Sequence, residues 1–107
     1  MKKSGYIIVF VTVPDRKTAG KIVKAVLENK LAACVNLISG AESFYWWEGR
    51  TRRSKEILLI MKTVAKKFAL LKKCVQERHP YEVPEIISAQ IAEGNKDYLG
   101  WIEKYAG

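Results

Sequence analysis

The chain has 107 residues, 49% of them hydrophobic and 28% charged, with a formal net charge of +8. This is the balance of one compact globular domain spanning 1–107, and it excludes a disordered or collagen-like chain. No apolar run approaches the roughly 20 residues that cross a bilayer, so no membrane span is expected.

Met1-Lys2-Lys3-Ser4-Gly5 is too short and too quickly strand-like for a secretory signal. Tyr6–Val13 is β-branched and almost wholly apolar, which predicts a buried central strand. Pro14-Asp15 stops it, and Asp15 is placed to cap a helix. Ala19, Ile22, Val23, Val26 and Leu27 then recur with helical spacing and form one apolar stripe. Leu31–Ile38 predicts a second strand. Ser39-Gly40 interrupts it as a bulge or bend would, and the pattern resumes at Ser43-Phe44-Tyr45-Trp46-Trp47. Glu48-Gly49 predicts a tight hairpin turn, with a return strand from Arg50 to Lys62 in which Ile57–Met61 is buried on both faces. Thr63 is placed to cap a helix over 64–78, with Val64, Phe68, Leu71 and Val75 inward. Ile86–Ile91 predicts a last strand, and Tyr98, Trp101, Ile102 and Tyr105 the stripe of a closing helix. The order β-α-β-β-α-β plus a terminal helix is the ferredoxin-like α+β arrangement, with an extended β2–β3 hairpin.

The two hairpin strands are about twice the usual five to six residues and must project beyond the helices. Alternation sends Phe44 and Trp46 to one face and Tyr45 and Trp47 to the other. One core cannot cover both, so Phe44, Tyr45 and Trp46 are expected at an interface between copies of the chain.

Basic residues cluster at Arg50, Arg52, Arg53 and Lys55, and at Lys66, Lys67, Lys72, Lys73 and Arg78. No nucleic-acid motif accompanies them, so they read as a solvated basic surface and no nucleic-acid partner is expected. Cys34 and Cys74 form no Cys-x-x-Cys pattern; two reduced thiols in a cytoplasmic protein are expected.

Polar chemistry concentrates in His79-Pro80-Tyr81-Glu82-Val83-Pro84-Glu85. Two prolines hold this segment out of helix, as a semi-rigid loop of the kind that carries ligand contacts. His79 is the one imidazole, a suitable ligand for Cu(II) or Zn(II), and Glu82 and Glu85 add carboxylates. Residues three apart in an extended segment do not face the same way, so one chain offers an incomplete metal site that a neighbouring chain would complete. The competing role for His79 is a hydrogen bond that fixes the loop.

Three stretches together resemble the CutA family of divalent-cation tolerance proteins. They are Lys30-Leu31-Ala32-Ala33-Cys34-Val35-Asn36, then Tyr45-Trp46-Trp47-Glu48-Gly49 with Glu56 and Lys62-Thr63, then the His79–Glu85 loop, and Asp97-Tyr98-Leu99-Gly100-Trp101-Ile102 also matches. The resemblance implies a homotrimer of ferredoxin-like subunits in which the hairpins pair strand edges between subunits. It also implies a link to copper and other divalent ions. Some members carry a cysteine at the end of the first strand, proposed as a copper ligand; Val11 stands at that position here and has no donor atom.

Three functions follow from these residues. The first is metal tolerance or response, with ions held near clefts between subunits by His79, Glu82 and Glu85. The alternative is a trimeric signalling or scaffold protein, similar in shape to the PII proteins. It would hold a small anionic ligand in a cleft lined by Lys62, Tyr81 and Trp47. Catalysis is the third, and no Gly-x-Ser-x-Gly, His-Glu-x-x-His or phosphate-binding glycine loop supports it. The chain is therefore read as no enzyme and as a holder of no organic cofactor.

Overall fold

A computed structural model describes residues 5–107; Met1–Ser4, where no secretory signal is read, lie outside the described residues. The elements are β1 (Tyr6–Val13), α1 (Arg16–Glu28), β2 (Cys34–Trp47), β3 (Arg50–Val64), a single 3-10 turn (Ala65–Lys67), α2 (Phe68–Gln76), β4 (Ile86–Gln90) and α3 (Lys96–Ala106). The four strands form one antiparallel sheet in the order β2-β3-β1-β4. This is the predicted ferredoxin-like order.

The core lies between one sheet face and helices α1 and α2. Ile7, Val9, Val11 and Val13 of β1 meet Ile57, Leu59 and Met61 of β3 there, with Ala19, Ile22, Ala25 and Val26 of α1 and Leu71, Cys74 and Val75 of α2. The opposite face is only partly covered. Ile8, Phe10, Leu58 and Ile60 are half-buried; β1 is the central strand expected, and the Ile57–Met61 segment is not buried on both faces as its composition suggested. The reason is that α1 and α2 pack on the same side. On the open face α3 packs against β3, with Tyr98 beside Cys34. Burial and this contact hold the Tyr98 phenol above its ordinary pKa.

Asp15 caps α1 as expected, its Oδ1 accepting from the Thr18 N–H at 2.8 Å. Ala25 replaces Leu27 in the buried stripe; Leu27 lies at its edge and is exposed. The helix ends through Lys30 at φ 55, with the Leu31 N–H donating to the Val26 carbonyl at 2.9 Å, a left-handed cap that turns Leu31 inward. That turn uses up residues 31–33, so β2 starts at Cys34 and not at Leu31.

Thr63 is not a helix cap. Pairing with β1 runs on to Tyr6 opposite Val64, so Thr63 remains in the strand, where its buried hydroxyl donates to the Leu31 carbonyl at 2.7 Å. Val64 is a strand residue too, and α2 is entered through the 3-10 turn with no side-chain cap, which makes it shorter than 64–78. In α3, Asn95 caps the helix and Ile102 is buried. Tyr98, Trp101 and Tyr105 instead form an exposed ladder of rings, with centroids 5.5 and 5.7 Å apart.

Candidate functional site: a cleft between the hairpin arm and the histidine loop

β2 and β3 run for 14 and 15 residues, and Glu48 and Gly49 turn between them, both at positive φ (51 and 78), as a primed turn requires. The break at Ser39-Gly40 is a bulge. Ile38 pairs with Leu58 and Ala41 with Glu56, so two residues oppose Ile57 alone. Its consequence for the site is a change of parity. Before the bulge, Cys34, Asn36 and Ile38 occupy the open face; after it Ala41, Ser43, Tyr45 and Trp47 do, beside Arg52, Ser54 and Glu56. Phe44 and Trp46 point the other way and are 72% and 74% exposed.

The 79–85 loop is tied down where β1 ends. A carbonyl only accepts, so the imidazole Nε2–H donates to the Thr12 carbonyl at 2.7 Å, and Nδ1 accepts from the Tyr81 N–H at 3.2 Å. Both ring nitrogens of His79 are therefore engaged, and the ring lies 4.7 Å from that of Tyr81. The Tyr81 hydroxyl donates to Glu56 Oε2 at 2.8 Å, joining the loop to β3. Burial, then the Glu56 carboxylate, raise the Tyr81 pKa far above its ordinary value, so the phenol stays protonated and a donor.

Between arm and loop lies a cleft of about 830 Å³, lined by residues that include Tyr45, Trp47, Glu56, Tyr81, Glu82 and Glu85. Glu56 is 7% exposed. Glu85 has its pKa raised, first by burial and then by the Glu56 charge. A carboxyl whose folded pKa lies above the ordinary 4.5 ionises more readily in the unfolded chain, so its charge opposes folding once the pH exceeds that value. Glu85→Gln should therefore raise Tm at pH 7, and the gain should vanish as the pH falls below the ordinary glutamate range. Thermal melts at pH 7 and pH 3 check this.

The structure brings Trp47, Tyr81, Glu82 and Glu85 together, with His79 directly behind them. Lys62 does not join them within one chain. It lies six residues along β3 from Glu56, about 20 Å away at the rise of a strand, with its Nζ on Asn36 Oδ1 and 4.0 Å from Cys34 Sγ. Tyr45, expected at an interface, lines the cleft, with its hydroxyl hydrogen-bonded to Ser54 at 2.6 Å. Glu56 had no assigned role from sequence, though its place in register with Arg52 and Ser54 was the available signal.

Residues 7–105 match the family described as CutA1 divalent ion tolerance protein. The chain belongs to the CutA1 family. It is 45% identical over 100 residues to the divalent-cation tolerance protein CutA of Thermus thermophilus, covering 94% of this chain and 97% of that one. It is 40% identical over 96 residues to the protein of the same name in Escherichia coli, covering 90% and 86%. Among solved structures, the divalent cation tolerance protein of Thermus thermophilus superposes with a TM-score of 0.93 at 44% identity over 95% of this chain and 99% of that one. CutA1 of a psychrotrophic Shewanella superposes with a TM-score of 0.93 at 35% identity over 98% of each chain. The CutA1 family is named for divalent-cation tolerance and not for a catalysed reaction.

A divalent ion fits this CutA1 cleft only in part. Glu82 and Glu85 offer carboxylate oxygens there, and His79 would have to release one of its two hydrogen bonds to ligate. No group of three or more histidine, cysteine, aspartate or glutamate side chains suited to a metal occurs among the described residues. Val11, which has no donor atom, is fully buried in the core.

Proposed function

We propose that the chain serves divalent-cation tolerance as a homotrimer, and that cations enter at the cleft between the arm and the 79–85 loop. The observation that carries this is that Glu85 lines the same cleft as the buried Glu56 carboxylate, on a chain of net charge +8. Two carboxylates kept near one another, one of them desolvated, favour a positive charge between them. Glu85 and Glu82 are the first oxygen donors for an ion such as Cu(II) or Zn(II), a neighbouring subunit supplies the remainder, and His79 holds the loop in register. The open sheet face and the exposed Phe44 and Trp46 support self-association. The free thiols Cys34 and Cys74 support a reducing, cytoplasmic setting.

Titration with Zn(II) or Cu(II) tests the reading. One ion per chain is expected, weakened about tenfold or more by Glu85→Gln, since charged contacts contribute roughly 1.5–3 kcal/mol. His79→Ala should loosen the loop and lower affinity without breaking the assembly. Binding unaltered by Glu85→Gln and Glu82→Gln would place the ion elsewhere.

A second reading, of a trimeric regulator that holds a small molecule, is favoured by one feature: about 830 Å³ far exceeds the needs of an ion and suits an organic ligand.

A further inference from the structure

We infer that the cleft binds a small organic cation, an ammonium group carried on an apolar or aromatic body. This rests on the regulator reading of the cleft and is independent of whether a metal binds there.

Two observations carry the inference. The first is charge. The cleft wall holds three carboxylates, those of Glu56, Glu82 and Glu85, against one guanidinium, that of Arg52, which is itself turned to Glu48 at 3.3 Å. Glu56 is more than nine-tenths buried, and Tyr81 satisfies only its Oε2. Oε1 has no hydrogen-bond partner among the described residues, yet no side-chain oxygen is sealed from water without one, so Oε1 opens to the cleft. A buried carboxylate with one oxygen satisfied and the other presented to a cavity is a ready acceptor for an N–H donor.

The second is the apolar wall. The parity change at Ser39-Gly40 brings Tyr45 and Trp47 to the same face as Glu56, and Tyr81 closes the other side. Aromatic faces attract cations through the ring quadrupole, most strongly where water is thinned out. A hydrated divalent ion makes little use of three rings, while a phosphate or carboxylate would meet the carboxylates head-on. An amine with a flat body uses both walls, its ring lying against Trp47 or Tyr45 and its ammonium donating to Glu56 and Glu85. Lys62, the cation that an anionic ligand would need, is not in the cleft of the chain that supplies those carboxylates.

The test uses three probes of nearly one shape and three charges: benzylammonium, benzyl alcohol and benzoate. Each is titrated against the assembled full-length protein and followed by calorimetry and by indole NMR shifts. Benzylammonium should bind at least tenfold more tightly than the other two and shift the Trp47 indole. Glu85→Gln and Trp47→Leu, both at exposed positions, should each weaken it about tenfold. Preference for benzoate, equal binding of all three, no measurable binding of benzylammonium, or binding unchanged in both variants would each overturn the inference. A parallel zinc titration separates this from the metal proposal: zinc held at the cleft with benzylammonium rejected overturns the organic cation alone.

Discussion

Trp46→Glu is expected to shift the sedimenting species from the proposed homotrimer towards a single chain of 12.2 kDa. In the lone chain Trp46 is 74% exposed and Phe44 72%, on the face of the arm's strand opposite that of Tyr45 and Trp47. An aromatic ring carries about 150–250 Å², and removing the exposed part from water contributes roughly 3–5 kcal/mol per ring at 25 cal/mol/Å². Loss of one ring alone weakens association by about two orders of magnitude or more. A carboxylate in its place adds the cost of desolvating a charge against apolar neighbours. Phe44→Glu should act in the same direction. The folded subunit should survive both changes, because neither ring belongs to the core of Ile7, Val9, Leu59 and Met61. Analytical ultracentrifugation with circular dichroism on the same samples reads both outcomes. An unchanged mass with unchanged ellipticity would remove these rings from the subunit seam.

Gly40→Val is expected to destabilise the subunit by about 1–3 kcal/mol, the usual cost of a side chain held in a sparsely allowed backbone region. Gly40 sits at φ +87, and nothing lies within 4 Å of where a Cβ would stand. The penalty is therefore conformational and not steric. It can be relieved only by flattening the bulge, which would slide Ala41 off Glu56 and turn Tyr45 and Trp47 away from the cleft. Deletion of Gly40 should behave differently. It leaves Ser39 alone opposite Ile57, so Ala41 keeps Glu56 as its partner and the rings keep their face. Denaturant unfolding measures the first effect, and Trp47 indole shifts on ligand addition distinguish the two variants. Equal stability of Gly40→Val and wild type would mean that the positive φ is not required.

The architecture was legible because its signals were local: the unbroken apolar run of β1, the 3–4 spacing of Ala19, Ile22 and Val26, and the Glu48-Gly49 turn. The bulge was legible as well, from one glycine inside an apolar strand. What it does was not, since parity across a bulge is fixed by which residue opposes Ile57, a long-range fact. Thr63 misled for a similar reason. A threonine before a helical stripe reads as a cap, but the pairing with β1 runs through it to Tyr6 opposite Val64. The cleft was half legible. Tyr81, Glu82 and Glu85 stand in one heptapeptide with His79, while Glu56 comes from a strand that pairs with neither that loop nor β4. Lys62 was grouped with the loop as the cation for an anionic ligand in a cleft between subunits; within one chain it faces Asn36 and Cys34. The imidazole's roles could not be divided from sequence. The bonds of its two nitrogens to Thr12 and Tyr81 identify it as what holds the loop.

The cleft between arm and loop, as the place where this protein meets a cation, is tested most directly by anomalous diffraction from crystals soaked in Zn(II) or Cu(II). One peak per subunit beside Glu82 and Glu85, with a second chain completing the ligand set, is the predicted result. Peaks confined to Cys34, Cys74 or scattered surface carboxylates, with the cleft empty at every soak concentration, would contradict it.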